Sequence, residues 1–186
     1  MKVLLAESAG FCYGVRRAVE LARDTAVKTG GCWMLGDLIH NTYVVDELKR
    51  LGVRKAASIS YLKSGDTVVI RSHGESKQIL EQLEGKGILL VNATCPNVRR
   101  IQVLAAQAEA EGRTPVIIGD AEHPEVAGIA SWCEHPLIFS GPEEVSDWLK
   151  HNLEAREVPL TVMAQTTCIR ELFETSWKII KKECTN

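Results

Sequence analysis

No CxxC pair occurs anywhere in this sequence; the six cysteines, Cys12, Cys32, Cys95, Cys133, Cys168 and Cys184, lie far apart. That spacing excludes a zinc ribbon and a compact disulfide scaffold, and leaves reduced thiols, some buried and some placed as ligands. No excess of charge of one sign is present either: 22 lysines and arginines face 24 acidic residues, a net charge of -2. Such a balance supplies no field to draw in nucleic acid or an anionic membrane, and neither is expected as a partner. Long apolar runs are also missing. The opening stretch Met1-Lys2-Val3-Leu4-Leu5-Ala6 gives way to Glu7, far too soon for a signal peptide or a spanning helix, so a cytoplasmic protein is expected. No low-complexity stretch or flexible linker interrupts the chain.

What is present is 186 residues with 45% apolar content, enough for a real core in one ordinary domain or two small ones. Short apolar runs recur with amphipathic segments between them. The runs are Val3–Ala6, Cys32–Leu35, Thr67–Ile70, Ile88–Val91, Pro115–Ile118, Leu137–Phe139 and Leu160–Met163. Each is too short for a helix and suits a buried parallel strand. Helices are expected near 15–28, 42–51, 77–84, 98–111, 143–153 and 169–182, with glycines such as Gly30, Gly52 and Gly112 punctuating element ends. The alternation predicts an α/β protein of two similar small domains, residues 1–96 and 97–186, each a parallel sheet flanked by helices. The segments TVVIRSHGES and PVIIGDAEHPE share a strand, a polar loop with one histidine and a helix start, which points weakly to an internal repeat.

The unusual polar and sulfur residues collect just after strands: His40 in GDLIHN, His73 in RSHGES, Cys95 in NATCP, His123 and Glu125 in AEHPEV, Thr166 in AQTT, with Cys12 in ESAGFCYG. In open parallel sheets ligands bind outside the carboxyl ends of the strands, so these loops are expected to converge on one crevice. A single histidine after a strand is more often a cap or a loop hydrogen-bonder. Three of them, with the N–H groups of helix starts, make a cradle for phosphate. His135 and His151 have no such placement and read as surface residues. Free cysteine usually behaves as a small hydrophobe, which suits Cys32 and Cys133. Cys12 and Cys95, each in a loop shaped by glycine or proline, look placed as ligands, for zinc or for an iron–sulfur cluster. Glu125 reads equally as a proton carrier and as an acidic residue complementing a helix start.

Taken together, GFCYGVRRAV, LIHNTYVVDEL, RSHGES, NATCPNV, GDAEHPEVAG and AQTT resemble, in order, the motifs of the IspH, or LytB, reductases. The resemblance implies an oxidoreductase that reduces 4-hydroxy-3-methylbut-2-enyl diphosphate to isopentenyl and dimethylallyl diphosphate in isoprenoid biosynthesis. It implies a 4Fe-4S cluster held by three cysteines, two of them Cys12 and Cys95. It makes His40, His73 and His123 the diphosphate and pocket histidines, Glu125 the proton-delivering carboxylate and Thr166 the pocket threonine. It also implies an electron-donor protein of ferredoxin or flavodoxin type. The family's third cluster cysteine, in a segment resembling TICxAT, and its third domain are not in this sequence, which stops at Asn186 just before that segment, so a truncated form of the reductase is expected. Neither Cys168 nor Cys184 matches that cysteine. A cluster-free diphosphate-binding fragment and a zinc-dependent hydrolase using Cys12, Cys95 and a histidine, with Glu125 as base, are the competing readings.

Overall fold

The computed structural model describes residues 2–4, 6, 9–39 and 41–184. Its contacts divide the chain into two units, Met1–Ser72 with Leu83–Cys95, and His73–Gln82 with Pro96–Asn186. The segment His73–Gln82, N-terminal to residue 96, therefore packs with the second unit.

The first unit begins with helix α1 (Tyr13–Thr29), whose buried stripe Ala18, Val19, Ala22 and Ala26 follows the helical repeat. Gly30 ends it in the left-handed conformation (φ 71°), donating its N–H to the Ala26 carbonyl. Then follow β1 (Cys32–Leu35), α2 (Thr42–Arg50), β2 (Val53–Ala56), β3 (Thr67–Ile70), α3 (Lys77–Gly85) and β4 (Leu89–Asn92). The unit boundary runs through α3. The four strands form one parallel sheet in the order β2-β1-β3-β4. Met34, Leu48 and Val69 are fully buried in its core.

Two features of this unit depart from the sequence expectation. The run Val3–Ala6 is not a strand at any described position, and Val3 and Leu4 are 77% and 80% exposed. A strand is a property of a pair, and among the described residues the run is paired with no strand of this sheet. Conversely β2 is absent from the expected strands, because Arg54 and Lys55 interrupt its apolar character and only Val53 and Ala56 are buried. As an edge strand it needs only those two. The Arg54 guanidinium lies 4.0 Å from the Trp33 ring centroid, covering the neighbouring strand. Its register with β1 is set by a glycine pair: a Cβ on Gly31 would stand 3.0 Å from the Gly52 carbonyl oxygen, so the backbones approach only without one.

The second unit contains α4 (Pro96–Ala110), β5 (Thr114–Ile118), α5 (Pro124–Ala130), β6 (Leu137–Phe139), α6 (Pro142–His151), β7 (Leu160–Ala164) and α7 (Arg170–Glu183). Its strands are parallel in the order β6-β5-β7. Val116, Ile117 and Ile118 are wholly buried. A central strand covered on both faces reads as a continuous apolar run, and each such side chain contributes about 1.5–3 kcal/mol. The short helix α5 has no counterpart among the expected helices, although the sequence marks a helix start after AEHPE. Ser131 ties its end to the start of α3, accepting the Lys77 N–H at 3.0 Å and donating to the Gly128 carbonyl at 2.8 Å.

The strand orders make the repeat concrete. In each unit the first strand lies between the second and the third, as β2-β1-β3 and β6-β5-β7. By position β5 corresponds to β1 and β7 to β3, so the repeated segments are GDLIH after β1 and GDAEH after β5. TVVIRSHGES and PVIIGDAEHPE begin with β3 and β5, strands that do not correspond.

Candidate functional site

In the first unit the two candidate ligand cysteines meet at one helix start. Cys12 is the N-cap residue of α1 in extended conformation, and it is exposed. Cys95 follows β4, and its Sγ sits against the first turn of α1: a Cβ on Gly14 would lie 2.6 Å from that sulfur. The glycine of GFCYG is therefore the space into which Cys95 fits. Arg17, one helical turn after Gly14, donates to the Thr94 carbonyl (3.1 Å) and the Asn92 carbonyl (3.3 Å). The Cys95 N–H donates to the Ser72 carbonyl at 2.9 Å. The thiol is thus held by a side chain, a backbone bond and a missing methyl group. Sequence reasoning missed the parts of Gly14 and Arg17, although both lie inside the motif around Cys12. His40 lies outside the described residues.

The second unit gathers His73, His123, Glu125 and Thr166. The rings of His73 and His123 meet edge to face, centroids 5.7 Å apart at 89°. His123 is the N-cap of α5, its Nδ1 accepting the Glu125 N–H at 3.1 Å. Accepting at Nδ1 leaves the neutral ring's proton on Nε2, which remains its donor. Glu125 stands in the first turn of α5 and is 1% exposed. Its carboxylate finds its partner across the sheet, where the Thr166 N–H donates to Oε1 (2.6 Å) and the Thr166 hydroxyl to Oε2 (2.7 Å). The helix-start reading of this residue has a direct counterpart, and the residue also anchors a buried hydrogen-bonded pair. Gln165, also missed, follows β7 and bonds to Asp120 in the loop after β5 and to Thr167 in its own loop.

The remaining candidates fall where their chemistry is plainer. Cys32 is 1% exposed in the first core, and burial pushes its thiol up. Burial, aided by the Glu109 charge, pushes Cys133 up to about 11. Cys168 and Cys184 pack against the second core, with thiols also raised by burial. His135 and His151 are exposed. Among the described residues no three histidine, cysteine, aspartate or glutamate side chains group as a metal site. Cys12 and Cys95 suit two positions of an iron–sulfur ligand set, and the described residues do not complete it.

A parallel α/β protein of two related units, with Cys95, His73, His123, Glu125 and Thr166 following its strands, is the class this architecture defines. Residues 3–186 match the LytB protein family, and the chain belongs to it. It is 37% identical over 187 residues to the 4-hydroxy-3-methylbut-2-enyl diphosphate reductase of Caldanaerobacter subterraneus subsp. tengcongensis, covering 98% of this chain and 63% of that protein. It is 42% identical to the protein of the same name from Clostridium acetobutylicum, covering 100% of this chain and 28% of that one. A solved structure of (E)-4-hydroxy-3-methyl-but-2-enyl diphosphate reductase, the terminal enzyme of the non-mevalonate pathway, superposes with TM-score 0.83 at 35% identity, over 98% of this chain and 64% of that one. The Plasmodium falciparum E-1-hydroxy-2-methyl-but-2-enyl-4-diphosphate reductase shares the fold, with TM-score 0.85 at 23% identity, over 95% of this chain and 55% of that one. The chain thus spans less than two thirds of the length of these relatives. No described helix is long and apolar enough to cross a membrane.

Proposed function

We propose that the chain carries out the proton-handling and diphosphate-binding part of 4-hydroxy-3-methylbut-2-enyl diphosphate reduction, in the cytoplasm. In that reaction the allylic C–O bond breaks, two electrons and two protons are taken up, water leaves, and isopentenyl or dimethylallyl diphosphate results. The observation that carries the reading is the Glu125–Thr166 pair: a carboxylate 1% exposed, held at both oxygens by one residue at a strand end. A carboxyl so placed moves protons in a site sheltered from bulk water. Glu125 is assigned proton delivery toward the departing hydroxyl, with Thr166 orienting it. His40, His73 and His123 are assigned the diphosphate, His123 through its Nε2–H.

Cys12 and Cys95 are assigned as two ligands of a 4Fe-4S cluster, a group that supplies electrons. Among the described residues no third metal-ligating side chain groups with them. The electrons are assigned to a small redox protein of ferredoxin or flavodoxin type.

Anaerobic iron–sulfur reconstitution of the chain, with iron and sulfide analysis and an assay of allylic diphosphate reduction by a low-potential donor, tests the reading. Glu125→Gln is expected to leave iron content and diphosphate binding unchanged while slowing turnover by roughly two to four orders of magnitude. Turnover at the unaltered rate in that variant overturns the role of Glu125. A colourless, inactive chain that still binds inorganic diphosphate favours the cluster-free binding module instead.

A further inference from the structure

Gln165 follows the last residue of β7, is 9% exposed, and has every polar group engaged. Its N–H donates to the Ile118 carbonyl (2.9 Å), extending the β5–β7 pairing, and its carbonyl accepts the Cys168 N–H (2.9 Å). Its side-chain Oε1 accepts the Asp120 N–H (3.1 Å), and its Nε2 donates to the Thr167 hydroxyl (2.8 Å). A backbone N–H can only donate, which fixes the amide's orientation.

These bonds close a ring around the candidate proton donor. The Asp120 carbonyl accepts the His123 N–H (3.0 Å), His123 Nδ1 accepts the Glu125 N–H (3.1 Å), and Thr166 holds the Glu125 carboxylate. Thr166 is covalently joined to Gln165, whose side chain returns to Asp120. We propose that Gln165 is a positioning residue that locks the loop bearing His123 and Glu125 to the loop bearing Thr166, and so fixes how Thr166 meets the carboxylate. The proposal rests on the reading of Glu125 and Thr166 under Proposed function and deepens it.

The backbone makes room for this clamp. A Cβ on Gly119 would lie 2.8 Å from Gln165 Cβ and 2.9 Å from its Oε1, so the amide lies across a residue that must be glycine. The other unit uses the same device. Strand register pairs Met34 with Val69 and Ile117 with Met163, which makes Gly36 correspond to Gly119 and Arg71 to Gln165. Arg71 also lies over its glycine, with Nη1 3.3 Å from where a Gly36 Cβ would stand. The fold thus reserves this place for a side chain laid across a glycine. In the second unit that side chain is an amide, which offers an acceptor and a donor together. A leucine of like size would cover Gly119 and leave the Asp120 N–H and the Thr167 hydroxyl without these bonds.

The test uses amide shifts and hydrogen exchange in the 15N-labelled 186-residue chain. The Thr166 amide, donating to a carboxylate, is expected far downfield and protected in the wild type. Gln165→Leu is expected to move it upfield and speed its exchange on the order of tenfold, with the Val116 and Ile117 amides unchanged. Gln165→Glu keeps the acceptor for Asp120 and is expected to lie between. A folded Gln165→Leu protein with an unaltered Thr166 amide overturns the proposal. Should that variant fail to fold, Thr167→Val removes only the partner of Nε2, and the same loosening of Thr166 is expected; an unmoved Thr166 again overturns it. This readout needs no turnover, so a failure of the clamp is separable from a failure of Glu125→Gln to slow the reaction.

Discussion

The Thr166 N–H and the Thr166 hydroxyl each donate to a different oxygen of Glu125, at 2.6 and 2.7 Å, so one residue holds both ends of a buried carboxylate. Hydrogen bonds to a charged group contribute about 1.5–3 kcal/mol, and leaving the group short of one is costly. Thr166→Val keeps the N–H and removes the hydroxyl. Its unfolding free energy in urea is expected to fall by about 1.5–3 kcal/mol, whereas Thr166→Ser, which keeps the oxygen, is expected to lose less than about 1 kcal/mol. A loss in Thr166→Val no larger than that in Thr166→Ser would mean that the hydroxyl bond contributes no more than the methyl group that serine lacks.

Gly14→Ala places a methyl group 2.6 Å from the Cys95 sulfur and 3.1 Å from its Cβ. The sulfur must shift, because the Arg17 bonds and the Cys95 N–H bond hold the loop in place. Overpacking of this kind costs about 1–3 kcal/mol. Thermal unfolding is expected at a lower temperature, and Cys95 is expected to react faster with a thiol reagent than in the wild type. An unaltered rate at Cys95 would mean that α1 moves and the cysteine does not.

Most of the fold is legible in the sequence because its signals are local. Runs such as Cys32–Leu35 and Thr67–Ile70 are apolar enough to declare buried parallel strands, and they stand where expected. What the sequence hides depends on neighbours. β2 carries two charges in four residues and exists because Gly31 and Gly52 let it lie against β1, while Val3 and Leu4 have the composition of a strand and no described partner. The site divides in the same way. Glu125, Thr166 and the histidines stand out as polar residues after strands. Gly14, Arg17 and Gln165 act only through contacts distant in sequence, such as Arg17 to Thr94 (77 residues apart) and Gln165 to Asp120 (45 apart). The GDxxH repeat could have been read from the sequence, since GDLIH and GDAEH both follow apolar runs. It marks the same corresponding strands as the topology.

Thiol chemistry separates the cysteines by environment. Burial, with the Glu109 charge adding to it, pushes the Cys133 thiol up to about 11. At pH 8 about one Cys133 in a thousand is then thiolate, the form that reacts. Iodoacetamide at pH 8, followed by peptide mass spectrometry, is expected to label exposed Cys12 first and to leave Cys133 and buried Cys32 largely unmodified. Labelling of Cys133 is expected to rise with pH toward 11. Labelling of Cys133 as fast as Cys12 at pH 8 would mean that the segment after α5 opens readily.

Glu109 pins that segment. Its carboxylate accepts the Glu134 N–H at 2.7 Å and the His135 N–H at 2.8 Å, with His135 Nδ1 3.7 Å away. Burial works to raise its pKa, but the two backbone donors and the nearby His135 outweigh it and hold the carboxyl below its ordinary value. A carboxyl depressed in the folded state stabilises the fold above its unfolded pKa, and that contribution disappears as the pH falls through the ordinary range to the folded value. Urea unfolding of the wild type and Glu109→Gln between pH 7 and pH 3 checks this. The wild type is expected to be the more stable at pH 7, because the amide offers one acceptor where the carboxylate offers two. The gap is expected to close as the pH falls below about 4.5, the ordinary value for glutamate. A gap that stays constant with pH would mean that the two backbone bonds stabilise the segment equally well from a neutral side chain, and that the charge of Glu109 contributes nothing.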